Sequence, residues 1–121
     1  MKNKLMRMTL LLALAIASGS GNHAAHAQNS PRQIEITAKR FGYTPGEITL
    51  KKGEPVVLLL KSADVAHGLR FRELNLDVKI DKGGTAKLSF TPDKTGDFVG
   101  HCSVFCGSGH GEMTLTLHVV E

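Results

Sequence analysis

Between residues 101 and 113 the chain reads His-Cys-Ser-Val-Phe-Cys-Gly-Ser-Gly-His-Gly-Glu-Met, two thiols, two imidazoles and a thioether in one short stretch. Thiolates and imidazoles hold soft and borderline transition metals. Calcium and magnesium need several oxygen ligands, which this stretch does not offer. Cys102 and Cys106 followed by His110 fall within loose zinc spacing. Met113 tilts the choice toward copper, because soft sulfur selects copper and methionine is a usual weak ligand there. The absence of Cys-x-x-Cys-His rules out covalent haem attachment. Gly107, Gly109 and Gly111 let the loop fold tightly around a single point. A further donor has to come from elsewhere, and the candidate is His67 in Asp64-Val65-Ala66-His67-Gly68-Leu69. It follows an apolar strand that can deliver it to the same end of the molecule. Asp64 is expected to orient that loop through an Asx-type hydrogen bond or to support the histidine directly. Strand alternation turns His101 away from Cys102 and places His118 on a solvent face, so both are expected outside the site.

The elements that must carry these side chains read as strands. Seven are predicted, over residues 33–37, 47–50, 56–60, 78–80, 85–91, 97–99 and 113–119. Ile34 and Ile36 alternate with polar neighbours, as do Ala86, Leu88 and Phe90, and Met113, Leu115, Leu117 and Val119. Val56 to Leu60 is an unbroken apolar run that suits a strand buried on both faces. Turn-rich connections separate the strands, among them residues 41–46 and Asp81-Lys82-Gly83-Gly84. Short strands at intervals of about ten residues with Gly/Pro turns argue an all-β sandwich. So small a sandwich has little room for an enclosed substrate pocket, which favours chemistry on loops at one end.

The chain has 121 residues, 41% hydrophobic and 21% charged, a composition that fits one globular domain and excludes a multidomain enzyme. Its formal charge of +4 arises mostly at the start. Lys2, Lys4 and Arg7 precede an apolar run from Met8 to Ala17, and Ala25-His26-Ala27 resembles a cleavage site, so residues 1–27 are expected to be a secretory signal peptide. That run is far shorter than the roughly 20 residues needed to span a bilayer, so no membrane span is expected in the mature chain. Residues 28–32 read as a flexible lead-in and 33–121 as the domain. Removing three cations from 15 leaves 12 basic against 11 acidic residues, a net of +1, which removes the case for a nucleic-acid partner. Export, to the periplasm, places both cysteines where unprotected thiols pair or bind metal.

Cys102 to Met113 resembles the Cys-Ser-Glu-x-Cys-Gly-x-x-His-x-x-Met pattern of the binuclear CuA domains of cytochrome c oxidase subunit II and nitrous oxide reductase, members of the cupredoxin family. Asp64 to Gly68 is similar to their upstream Asp-Val-x-His-Gly. The resemblance implies a Greek-key β-sandwich holding two copper ions bridged by Cys102 and Cys106. It implies His67 and His110 as one ligand to each copper, Met113 as a weak ligand on one, and the backbone carbonyl of Val104 as a weak ligand on the other. Val104 stands where the family has Glu, but the ligating atom there belongs to the main chain.

The function expected from this resemblance is that of an exported single-electron carrier rather than an enzyme, serving a redox partner such as a cytochrome or a terminal oxidase or reductase. Three other readings stay open. A mononuclear blue-copper site needs only His67, Cys106, His110 and Met113. A copper chaperone or storage protein for oxidase assembly uses a similar donor set. A thiol-disulfide enzyme would use Cys102 and Cys106, without the usual short redox motif.

Overall fold

The computed structural model describes residues 30–121; the expected signal peptide lies outside the described residues. Among the described residues there are nine strands, joined by turns and two single 3-10 turns. They are β1 (Arg32–Lys39), β2 (Gly42–Thr44), β3 (Glu47–Lys51), β4 (Val56–Ser62), β5 (His67–Phe71), β6 (Leu76–Ile80), β7 (Thr85–Phe90), β8 (Gly96–His101) and β9 (Thr114–Val120). One sheet has the order β2-β1-β4-β7 and the other β3-β9-β8-β5-β6. All seven expected strands are there. The two additions are β2, inside the turn-rich connection, and β5, which contains His67.

Alternation sets which side chains meet between the sheets. Ile36 and Ala38 on β1, Leu58 and Leu60 on β4, and Leu115, Leu117 and Val119 on β9 all point into one core. β1 pairs in parallel with β4, with Ile36 opposite Leu60, and β3 pairs in parallel with β9, with Leu50 opposite Val119. Parallel neighbours need a crossover connection, and here the chain supplies it by passing from one sheet to the other. The apolar run of β4 departs from expectation: Val56, Leu58 and Leu60 are buried, but Val57 and Leu59 are only half-buried. Among the described residues nothing packs over the outer face of that sheet as a second layer would, so the run is buried on one side.

The site end is fixed by β5, β8 and β9. β8 and β9 run antiparallel, with His101 opposite Thr114, and β5 joins β8 through the pair Arg70 and His101. The segment from Cys102 to Met113 is therefore clamped at both ends. No helix among the described residues is long and apolar enough to cross a membrane.

Candidate metal centre

The Cys102–Met113 loop closes on itself through its own backbone. The Cys102 N–H donates to the Met113 carbonyl (3.1 Å), and the His110 N–H to the Gly107 carbonyl (3.2 Å). Of its three glycines, Gly107 is the one in the positive-φ region, at 137°. Gly109 serves a different need: a Cβ there would lie 2.5 Å from the Phe41 ring. Gly68, on β5, answers to a third constraint. A Cβ on it would lie 2.1 Å from Ser103 Oγ and 3.1 Å from the backbone nitrogens of both Ser103 and Val104. Only a bare Cα lets β5 approach the loop this closely.

That approach gathers the candidate donors around two sulfurs. One ligand atom from each of His67, Cys102 and Cys106 lies within 4.8 Å of the others. Cys102 Sγ is 3.6 Å from Cys106 Sγ, 4.0 Å from His67 Nδ1 and 3.1 Å from the Val104 carbonyl oxygen. Cys106 Sγ is 3.7 Å from His110 Nδ1 and 3.8 Å from Met113 Sδ. The sulfurs are too far apart for a disulfide, whose S–S bond is about 2.05 Å, and both cysteines are free. They are close enough to share an ion, because two metal–sulfur bonds of about 2.3 Å place their sulfurs no more than about 4.6 Å apart. His67 and Met113 are fully buried, Cys102 and Cys106 nearly so, and His110 is half-buried.

Supporting contacts orient the donors. Asp64 Oδ1 lies 2.6 Å from His67 Nε2 and 2.7 Å from the Val65 N–H; its Oδ2 accepts the Arg40 N–H at 2.9 Å. Asp64 therefore holds the imidazole as expected, and it fixes the loop through the N–H groups of Val65 and Arg40 rather than through an Asx turn. With the proton kept on Nε2 facing the carboxylate, the Nδ1 lone pair is left for the sulfur side. Partial burial pushes the Asp64 carboxyl up, but the Arg40 N–H, the His67 ring and the Val65 N–H outweigh it and hold it down at about 2. Burial and the neighbouring Cys102 thiol push Cys106 up to about 11. Without a cation Cys106 is therefore a thiol at neutral pH, and metal binding there releases a proton.

Several contributing residues carried no signal in sequence spacing. Arg40 Nε donates to the Cys106 carbonyl at 2.9 Å, tying the turn between β1 and β2 to the loop. The buried Tyr43 hydroxyl donates to the Gly68 carbonyl, while the Gly68 N–H points at Cys102 Sγ, 3.5 Å away. Burial and the Cys102 sulfur push the Tyr43 hydroxyl's pKa upward. Phe105 is 78% exposed, its ring 5.7 Å from that of His110. His101 is exposed and stands apart from the donors, although it borders the same open cleft as Cys102. His118 lies on the opposite stretch of β9, between Asp97 (2.6 Å) and Glu47 (3.5 Å).

The chain is 31% identical over 99 residues to cytochrome c oxidase subunit 2 of Thermus thermophilus, covering 80% of this chain and 73% of that one. It is 33% identical over 90 residues to the nitrous-oxide reductase of Cupriavidus necator, covering 71% of this chain but 14% of the relative. The periplasmic domain of subunit II of cytochrome oxidase from Bradyrhizobium japonicum has the same fold, with a TM-score of 0.67, 22% identity and coverage of 74% and 84%. The family model of the cupredoxin-like domain matches residues 7–115, and with the sandwich and the clustered sulfur and imidazole donors already described, the chain belongs to the cupredoxin-like family.

Proposed function

We propose that residues 28–121 form an exported single-electron carrier with a CuA-like pair of copper ions, held by His67, Cys102, the Val104 carbonyl, Cys106, His110 and Met113. The observation that carries this reading is the central pair of sulfurs 3.6 Å apart, with one imidazole against each: His67 at Cys102 and His110 at Cys106. A mononuclear site would need Cys106 alone and leaves the inward aim of Cys102 without a role. Bound copper supplies a one-electron couple.

The chain's own part is to hold the donors still. Asp64 fixes the His67 ring, the Gly68 N–H points at the Cys102 sulfur, and Arg40 ties down the Cys106 backbone. Burial of both sulfurs keeps water from the centre, while the half-buried His110 beside exposed Phe105 brings one donor to the surface. Strands on both sides resist displacement when charge changes. The leader expected at residues 1–27 from its sequence pattern and the subunit II proteins among the relatives support export to the periplasm and a cytochrome or terminal oxidase or reductase as partner.

Metal analysis and electron spin resonance of the purified mature domain test the reading. Two coppers per chain are expected, with a signal split by two equivalent nuclei, and Cys102→Ser should reduce the content to one. One copper in the unaltered protein, split by a single nucleus, would replace the binuclear reading with the blue-copper one.

A further inference from the structure

An open cleft of about 470 Å³ lies beside the metal centre, lined by Arg70, Arg72, His101, Cys102, Ser103 and His110. Two guanidiniums and two imidazoles line it; the nearest carboxylate, Asp77, borders the adjoining cleft that the same two guanidiniums also line. Arg70 is half exposed and only loosely paired, its Nε 3.9 Å from Asp77 Oδ2. Asp77 is itself engaged by the Ser103 hydroxyl, which donates to its Oδ1 at 2.9 Å. Arg72 makes no ion pair among the described residues and stands exposed on the turn after β5. The positive patch is local, because the mature chain's net charge is only +1. On the Phe105 side of His110 another cleft is lined by Arg40, Val65, Ala66, Phe105, Cys106 and Gly107, mostly apolar groups.

We propose that the Arg70–Arg72 side of this end is the docking face for an acidic redox protein, whose surface carboxylates engage the two guanidiniums while its redox edge rests over His110 and Phe105. The inference rests on the carrier reading for its purpose, but the docking itself follows from charge and shape. The cleft is too open to enclose a substrate, and a protein partner fills it by inserting side chains from a broad surface. Guanidiniums suit this role because each meets a carboxylate with two parallel N–H donors. Rim charges of this kind chiefly set encounter rate and salt dependence, as a transient electron-transfer contact needs.

The test titrates the isotope-labelled domain, both copper-free with its thiols reduced and loaded with Cu(I), against two ferrous c-type cytochromes. One presents an acidic haem-edge surface, the other a basic one. Amides of residues 69–73 and 101–104 should shift with the acidic cytochrome, and the affinity should fall about tenfold or more in R70E/R72E. A K87E/K94E variant changes net charge equally but at exposed positions off the cleft, and it should bind like the unaltered protein. Equal binding of both cytochromes, or an unchanged affinity in R70E/R72E, would overturn the proposal. A fall of the same size in K87E/K94E would overturn it too, leaving only a net-charge effect. Failure of the copper reading shows separately, in metal content and spin resonance, and leaves the copper-free titration intact.

Discussion

Asp64 concentrates more of the site's geometry than any other supporting residue, because one carboxylate accepts from the His67 ring and from two backbone N–H groups. Asp64→Asn turns an acceptor into an amide that faces donors. Copper affinity is expected to fall about 10- to 100-fold, the usual cost of losing a group that orients a metal-bound histidine. Stability of the copper-free protein should fall by about 1–3 kcal/mol. The pH dependence has a definite sign. A carboxyl held down at about 2 in the folded state contributes fully above its unfolded value near about 4, and the contribution is lost as pH falls through that window. Urea midpoints at pH 6, 4, 3 and 2 should therefore converge between the two proteins as pH drops, and a constant gap would contradict the assignment. That the candidate donors gather at one point was legible in the sequence because thiols, imidazoles and a thioether at fixed spacing have few other uses. Arg40 and Tyr43 were not, since both act through main-chain groups of residues far along the chain, which no spacing encodes.

At the scale of elements, the strand that carries His67 was the least legible piece. His67, Gly68, Leu69 and Phe71 are all buried, leaving Arg70 as the lone outward residue, so the segment shows no period of two. Its glycine also lowers strand propensity. β2 was hidden for a simpler reason: three residues that begin with a glycine and run into a proline look like a turn until β1 pairs with them. The same Gly68 that obscured β5 is what the site requires. Gly68→Ala should cost about 1–3 kcal/mol by overpacking and should weaken copper loading, because the loop has to retreat from β5. Ser103→Ala in the same chain removes the 2.1 Å contact but leaves the two backbone nitrogens at 3.1 Å, so recovery should be partial. Thermal midpoints of the single and double variants read this directly, and an unperturbed Gly68→Ala protein would show that β5 and the loop are not locked together.

For the molecule as a whole, the decisive relation is between the core and the centre. Cys102, Cys106 and Met113 belong to the same buried cluster as Ile36, Leu58, Leu60, Leu115 and Leu117. The donors are therefore positioned by packing between two sheets, unlike a zinc finger, whose fold depends on its ion. Copper-free protein with reduced thiols should keep its far-ultraviolet circular dichroism and unfold in one cooperative step. Copper should then add stability by mass action, about 4 kcal/mol at a free concentration a thousand times its dissociation constant. For a domain this small that corresponds to a rise of roughly 15–30 °C in the midpoint. Binding of copper by the unfolded chain's cysteines and histidines would trim the rise without removing it, since an extended chain cannot hold five side chains at one point. A copper-free chain that melts without cooperativity would mean that the ion organises the sandwich, and the rigidity assigned to the scaffold would then belong to the metal.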